Sequence, residues 1–363
     1  MSNCATKTFE EFKKLSKKER GDFFGSDSGK LLSVIFAQQF NTDFLRYIFK
    51  LAAVIREISI TKRGRDHLRT LCSDRVAELF FRQSSTRTRN SFQVACLKLG
   101  MQIVLNGDEA TESTAKGESE LDMAHTLGIY SDLMILRHPE PGFVEEAAWH
   151  LAQTGEKIPV INAGSSQDQH PTQALLDAFT MFEHFQQYGG FAGKTITFVG
   201  DLRSRTVRSN VYLSRNFPGI TFQFCAPENH QIEKDIISFL EKHEIKYRIC
   251  NQFGRPEITC SDVIYMTRLQ NDYDSDDPDR ASRVIEGFVF GPTQLEWLRH
   301  DAIIMHPLPR RSELDVKCDK DPRIKIWRQT KNGLWIRMAL LTIIFGQDNV
   351  LKNDVNFASM FIR

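Results

Sequence analysis

Apolar runs of strand length alternate with amphipathic, helix-like stretches along most of this chain, and the series occurs twice. The first series places strands near 76–81, 102–105, 132–136 and 158–161. Helices are expected between them, near 90–99, 118–130 and 142–152, and a long helix near 171–185 follows. Gly189-Gly190 then breaks the pattern. A second series places strands near 194–199, 221–226, 247–250, 262–266 and 303–305, and an apolar helix near 335–345 closes the chain. Alternation of this kind predicts an α/β fold with two domains, each a parallel sheet flanked by helices. Before the first strand, Phe44, Leu45, Ile48, Leu51, Ala52 and Ile55 recur at helical spacing over 42–57. Residues 9–20 read as one short charged helix and Gly25 to Gly29 as a break, so 1–35 are expected to form a separate N-terminal extension.

Composition narrows the function. The 363 residues suffice for two domains, and 41% are hydrophobic, enough for a sizeable core. Lys+Arg number 47 against 46 Asp+Glu, a net charge of +1, which argues against nucleic acid as a partner. No run approaches the roughly 18 apolar residues of a membrane span, and the N-terminus lacks the apolar stretch of a signal peptide, so no membrane partner is expected. The seven cysteines are scattered and never spaced as Cys-x-x-Cys. That pattern predicts reduced thiols, a cytoplasmic location and no metal site.

Basic residues stand where the predicted strands run out: Arg87 and Arg89, Arg137, Arg205, Arg268 and His306. In open α/β sheets ligands bind at the carboxyl ends of strands, so these positions predict a ligand with several negative charges. Ser85-Thr86-Arg87-Thr88-Arg89 follows a strand and opens a helix, where amides and hydroxyls suit a phosphate. Simple N-capping with solvated arginines fits that pentapeptide equally well. Lys116, preceded by Ser113 and Gly-Glu after it, reads on its own as a solvated loop lysine. Pro171 suits a first helical position. His170 and Gln173 then project from the first turn, either toward the strand ends or, for His170, as a structural cap.

Taken together these segments resemble the catalytic chain of the aspartate carbamoyltransferase family. The shared segments are 85–89, Lys116-Gly117-Glu118, Arg137-His138-Pro139, 162–164 and Gln169-His170-Pro171-Thr172-Gln173. They continue with 175–177, 200–202, 205–207, Met266-Thr267-Arg268-Leu269-Gln270 and His306-Pro307-Leu308-Pro309-Arg310. The order holds over about residues 36–352. The resemblance implies transfer of a carbamoyl group from carbamoyl phosphate to the α-amino group of L-aspartate, the committed step of pyrimidine synthesis. It implies a carbamoyl-phosphate-binding domain at 36–185, completed by 333–363 with the C-terminal helix returning to it, and an aspartate-binding domain at 190–330. Carbamoyl-phosphate contacts carry over to Ser85, Thr86, Arg87, Thr88, Arg137, His170 and Gln173, with Arg87, Thr88, Arg137, His170 and Gln173 in the catalytic role. Ser113 and Lys116 would reach carbamoyl phosphate from a neighbouring subunit, which implies a homotrimer with shared sites. Aspartate contacts carry over to Lys116, Arg205, Arg268, Gln270 and Leu308.

The chemistry agrees. The substrates bring several negative charges, whose desolvation needs cationic partners. The nucleophile is the amine of aspartate, so the reaction needs positioning and an oxyanion site and no cofactor. Two segments depart from the family pattern. Arg82-Gln83-Ser84 stands where an acid is usual, and 271–277 are acidic where a Glu-Arg pair is usual. A charge-swapped latch between Arg82 and Asp272 or Asp274 is the expectation drawn from that exchange. A different amine acceptor, or a non-catalytic homologue that binds or regulates, are the alternative functions; whether a regulatory chain binds is left open by the sequence.

Overall fold

The computed structural model describes residues 8–25, 31–106, 117–268 and 287–354, the side chains of 352–354 excepted. In chain order the helices are α1 (Phe9–Lys13), α2 (Lys17–Phe23), α3 (Thr42–Ile58), α4 (Lys62–Leu68), α5 (Thr86–Lys98), α6 (Glu120–Ile129) and α7 (Phe143–Leu151). Then come α8 (Pro171–Phe185), α9 (Arg205–Ser214), α10 (Lys234–Lys242), α11 (Arg255–Thr259), α12 (Pro292–Trp297), α13 (Ile326–Ile344) and α14 (Asp348–Asp354). The strands are β1 (Val76–Phe81), β2 (Gln102–Asn106), β3 (Leu133–His138), β4 (Val160–Ser165), β5 (Thr195–Val199), β6 (Thr221–Cys225), β7 (Lys246–Cys250), β8 (Val263–Met266) and β9 (Ile303–Met305). The chain divides into two units, one formed by 1–175 with 332–363, the other by 176–331.

The first unit holds a parallel sheet in the order β2-β1-β3-β4. Strands β3 and β4 are buried at every position, as strands of a covered parallel sheet are. On one face Phe80, Met134, Leu136 and Val160 pack with Ala147, Trp149 and Leu151 of α7. Phe12 and Phe24 belong to the same cluster and have no exposed surface. The N-terminal stretch is therefore part of this core and not a separate extension. Val34 also pairs with the sheet: its N–H donates to Val160 O and its carbonyl accepts from Asn162, both at 2.8 Å. The single helix expected over 9–20 is two helices. Ser16 ends the first stretch because its hydroxyl accepts from Glu19 N–H while its own N–H donates to Glu19 Oε2, a capping box that starts α2. Lys17 and Arg20 both pair with Glu145 of α7. Burial pushes that carboxyl up, against the pull of the two cations.

The second unit holds a parallel sheet in the order β7-β6-β5-β8-β9. Side chains alternate faces along each strand, so both faces carry core. Ile196, Phe198, Val263, Tyr265, Ile303 and Met305 pack on one face; Val199, Ile264, Met266 and Ile304 pack on the other. Helix α13 begins well before the expected residue 335. Gly333 reads as a break in sequence but lies inside the helix, next to Asn332, which is fully buried. The C-terminal part of α13 belongs to the first unit, where Arg337 donates to Ser91 Oγ on α5 at 2.8 Å.

Candidate active site

In the first unit the adjacent strands β1, β3 and β4 are parallel, so their carboxyl ends share one edge. The segment after β1 carries Ser85 to Arg89, β3 ends with Arg137 and His138, the turn after β4 carries His170, and the first turn of α8 carries Gln173. Helix α5 starts at Thr86, earlier than expected, because Arg89 N–H already donates to Ser85 O at 3.1 Å. Thr86, Arg87 and Thr88 therefore lie in the first turn. Ser85 is the N-cap, yet its side chain makes no capping bond, so it leaves the first-turn amides to another acceptor. Thr88 is buried and Arg87 is exposed.

Arg137 is buried, and its Nη1 donates to Ala163 O on β4 at 3.1 Å. Its own carbonyl accepts from Arg82 N–H at 2.9 Å, which extends the β1–β3 ladder into the segment before Ser85. His170 is also buried, directly before α8. Arg337 links α5, which carries Thr88, with α8, which carries Gln173. It donates to Ser91 on α5, lies 3.4 Å from Thr172 Oγ1 on α8, and stacks 4.8 Å over the Phe92 ring. Ser113 and Lys116 lie outside the described residues.

In the second unit β5, β8 and β9 are neighbours, and their carboxyl ends carry Arg205, Arg268 and Leu308 in turn. Gly200 closes β5 at φ +111°, and a Cβ there would stand 2.2 Å from Thr267 O, so only glycine lets the two strand ends approach. Arg205 opens α9. Burial pushes its guanidinium down to about 10, which leaves it charged at neutral pH and able to gain from an incoming carboxylate. Arg268 is half-buried just after Thr267, whose hydroxyl donates to Val199 O at 2.8 Å. Gln270 lies outside the described residues.

His306 is not an open strand-end cation. It is buried; Nδ1 accepts from Leu308 N–H and Nε2 meets Glu313 Oε1, each at 2.8 Å. Accepting at Nδ1 puts the proton on Nε2, so a neutral ring donates to Glu313. Leu308 is held at φ +57°, a region a branched side chain rarely occupies. Behind it lies a buried network that the sequence did not single out. His306 N–H donates to Gln329 Oε1 at 3.0 Å, and Gln329 donates to Asp177 Oδ1 at 2.7 Å. The other Asp177 oxygen accepts from Tyr265 at 2.7 Å and from Asn210 at 2.8 Å. One carboxylate thus ties α9, β8 and the end of β9, the elements bearing Arg205, Arg268 and Leu308. The segment 175–177 is the only sequence signal for it.

Arg82, expected to latch onto Asp272 or Asp274, pairs within its own unit with Glu120. The Arg82 side chain is 1% exposed and turned inward, with Nε 2.8 Å from Glu120 Oε1. Its would-be partners Asp272 and Asp274 lie outside the described residues.

Residues 33–183 match the family model of the carbamoyl-P binding domain of aspartate/ornithine carbamoyltransferase, and 192–344 match that of the Asp/Orn binding domain. The chloroplastic aspartate carbamoyltransferase of Oryza sativa subsp. japonica is 39% identical over 320 residues, 87% of this chain and 85% of that one. Multifunctional protein CAD of Squalus acanthias is 36% identical over 315 residues, 86% of this chain; the chain spans 13% of that relative's length. Aspartate transcarbamoylase of Trypanosoma cruzi, solved with N-(phosphonacetyl)-L-aspartic acid, superposes with TM-score 0.78 at 29% identity, over 88% of this chain and 98% of that one. The chain belongs to the aspartate/ornithine carbamoyltransferase family, among its aspartate carbamoyltransferases.

Proposed function

We infer that this chain is an aspartate carbamoyltransferase: it transfers the carbamoyl group of carbamoyl phosphate to the α-amino group of L-aspartate, giving N-carbamoyl-L-aspartate and phosphate. The observation that carries the assignment is the first-turn site of α5, with Ser85 leaving the amides uncapped and Arg137 one strand away. A helix N-terminus with an arginine beside it is suited to a phosphate dianion. The Trypanosoma cruzi relative has been solved with carbamoyl phosphate and aspartate together.

Ser85, Thr86 and Arg87 hold the phosphate. Thr88, Arg137 and His170 donate to the carbonyl oxygen, which turns negative as the amine attacks, and Gln173 orients the carbamoyl amide. The new bond joins the aspartate nitrogen to the carbamoyl carbon. The bond from that carbon to the phosphate oxygen breaks, and the leaving phosphate takes the amine proton. Arg205 and Arg268, with Gln270 and the Leu308 main chain, take the two aspartate carboxylates. Ser113 and Lys116 complete a neighbouring subunit's site in a homotrimer. Val94 and Leu97 on α5, and Val104 and Leu105 on the edge strand β2, leave apolar surface exposed in the single chain, which supports such an assembly. Free cysteines at 72, 96, 225, 250, 260 and 318 suit a reducing cytoplasm. Among the described residues no helix is long and apolar enough to cross a membrane.

Phosphate release from carbamoyl phosphate, measured against a panel of amines, tests the assignment. L-aspartate should be the preferred acceptor by orders of magnitude. Preference for ornithine or another amine would reassign the second substrate, and no turnover with any amine would point to a non-catalytic homologue.

A further inference from the structure

Three side chains outside the substrate contacts meet beneath the phosphate loop. Arg82 follows β1 directly. Its Nε faces Glu120 Oε1 at 2.8 Å, its Nη2 lies 3.2 Å from Met123 Sδ, and its guanidinium stacks 4.7 Å over the Phe80 ring. The second Glu120 oxygen bonds to His138 Nε2. His138 Nδ1 accepts from Glu140 N–H at 3.1 Å, which puts the ring proton on Nε2 and makes His138 the donor to Glu120. The ring is stacked on Phe143 at 3.8 Å. Glu120 itself stands in the first turn of α6, where the helix dipole favours a carboxylate.

We propose that Glu120, Arg82 and His138 are positioning residues for carbamoyl phosphate. Arg82 leads into the turn before Ser85, and His138 follows Arg137 on β3. Their main chains are already joined, since Arg82 N–H donates to Arg137 O. The Glu120 carboxylate joins their side chains as well, and so sets the spacing between the α5 first turn and the Arg137 guanidinium. A guanidinium buried this deeply keeps its seat only beside a counter-charge. Without Glu120 it leaves the Phe80 face for water and takes the 82–85 turn with it. The proposal rests on the assignment of 85–88 and Arg137 to carbamoyl phosphate.

The test compares Glu120→Gln, Glu120→Leu, Arg82→Met and the double variant Arg82→Met with Glu120→Leu in the full chain. Calorimetry gives the dissociation constant of carbamoyl phosphate, and steady-state kinetics give KM for each substrate. Glu120→Leu should weaken carbamoyl-phosphate binding about tenfold or more, with the aspartate KM within about threefold of wild type. Glu120→Gln keeps the shape and one acceptor, so it should fold and show a smaller loss of the same kind. The double variant should bind better than Glu120→Leu, because no unpaired charge is left inside. A lowered melting temperature with unchanged carbamoyl-phosphate affinity in both Glu120 variants would mean a purely structural role and overturn the proposal. Arg87→Ala is the control. If it binds carbamoyl phosphate as the wild type does, the site assignment falls and the proposal with it; if it loses binding while the Glu120 variants do not, the positioning claim alone is wrong.

Discussion

The main-chain N–H of Leu308 donates to Nδ1 of His306 at 2.8 Å, and the opposite ring nitrogen donates to Glu313. The imidazole is a strut between a carboxylate and the left-handed Leu308 backbone. Its proton is committed to Glu313, so the ring holds the shape of the 306–309 turn.

His306→Ala removes the acceptor for Leu308 N–H and the donor to a buried carboxylate. The variant should lose about 1–3 kcal/mol of stability. In the folded protein, KM for aspartate should rise well beyond KM for carbamoyl phosphate. Steady-state kinetics varied in each substrate give both values; equal changes in the two would separate His306 from aspartate binding.

Glu313 predicts a pH response. Desolvation alone would raise its carboxyl, but the bonds from His306 and from Arg311 N–H outweigh that and hold it below the ordinary 4.5. The folded state then binds fewer protons than the unfolded state. Its contribution is complete above the ordinary value and is lost as pH falls through the lowered one. Urea unfolding across the acid range should show Glu313→Gln less stable near neutrality and less steeply destabilised below about pH 4.5. Parallel curves for the two proteins would show that Glu313 does not titrate in this window.

Phe12 tests the N-terminal segment as core. It is fully buried, with ring centroids 4.9 Å from Phe23 and 6.3 Å from Trp149. Phe12→Ala should cost about 3–5 kcal/mol, the range for emptying a buried phenyl site. A change below about 1 kcal/mol in denaturant unfolding would show that the segment is only loosely attached.

The proposed sharing of a site between subunits of a homotrimer is tested by mixing. Lys116→Ala and Arg87→Ala proteins should each be nearly inactive. After dissociation and reassociation together, mixed trimers should regain activity, because some sites then receive both intact residues. Mixtures that stay dead after confirmed subunit exchange would show that Lys116 acts within its own chain.

How far the sequence reaches depends on how local each signal is. The 133–136 stretch of β3 and strand β9 are legible because a strand covered on both faces is a continuous apolar run. The start of α8 is legible from Pro171. The start of α5 is not, because Ser85-Thr86-Arg87-Thr88 is polar enough to pass for loop. The start of α13 is hidden by Gly333, which reads as a break in sequence but lies inside the helix. Among the described residues, Arg137 lies at the end of β3, while Arg205 and Arg268 follow β5 and β8. The carboxylates beneath them could not be read, since Glu120 with Arg82 and His138, and Asp177 with Tyr265 and Gln329, are pairings across distant segments. Arg82 shows the difference most clearly: its unexpected charge is plain in the sequence, but its direction is set by Phe80 and Glu120.

The proposed reaction, carbamoyl transfer to aspartate at the strand-end arginines, can be followed atom by atom. Carbon-13 NMR of labelled carbamoyl phosphate, incubated with L-aspartate and the full chain, observes that reaction directly. N-carbamoyl-L-aspartate should form one-to-one with phosphate, and the rate should fall by about a hundredfold or more in folded Arg87→Ala. Carbamoyl phosphate consumed without carbamoyl-aspartate, or an Arg87→Ala enzyme as fast as wild type, would contradict it.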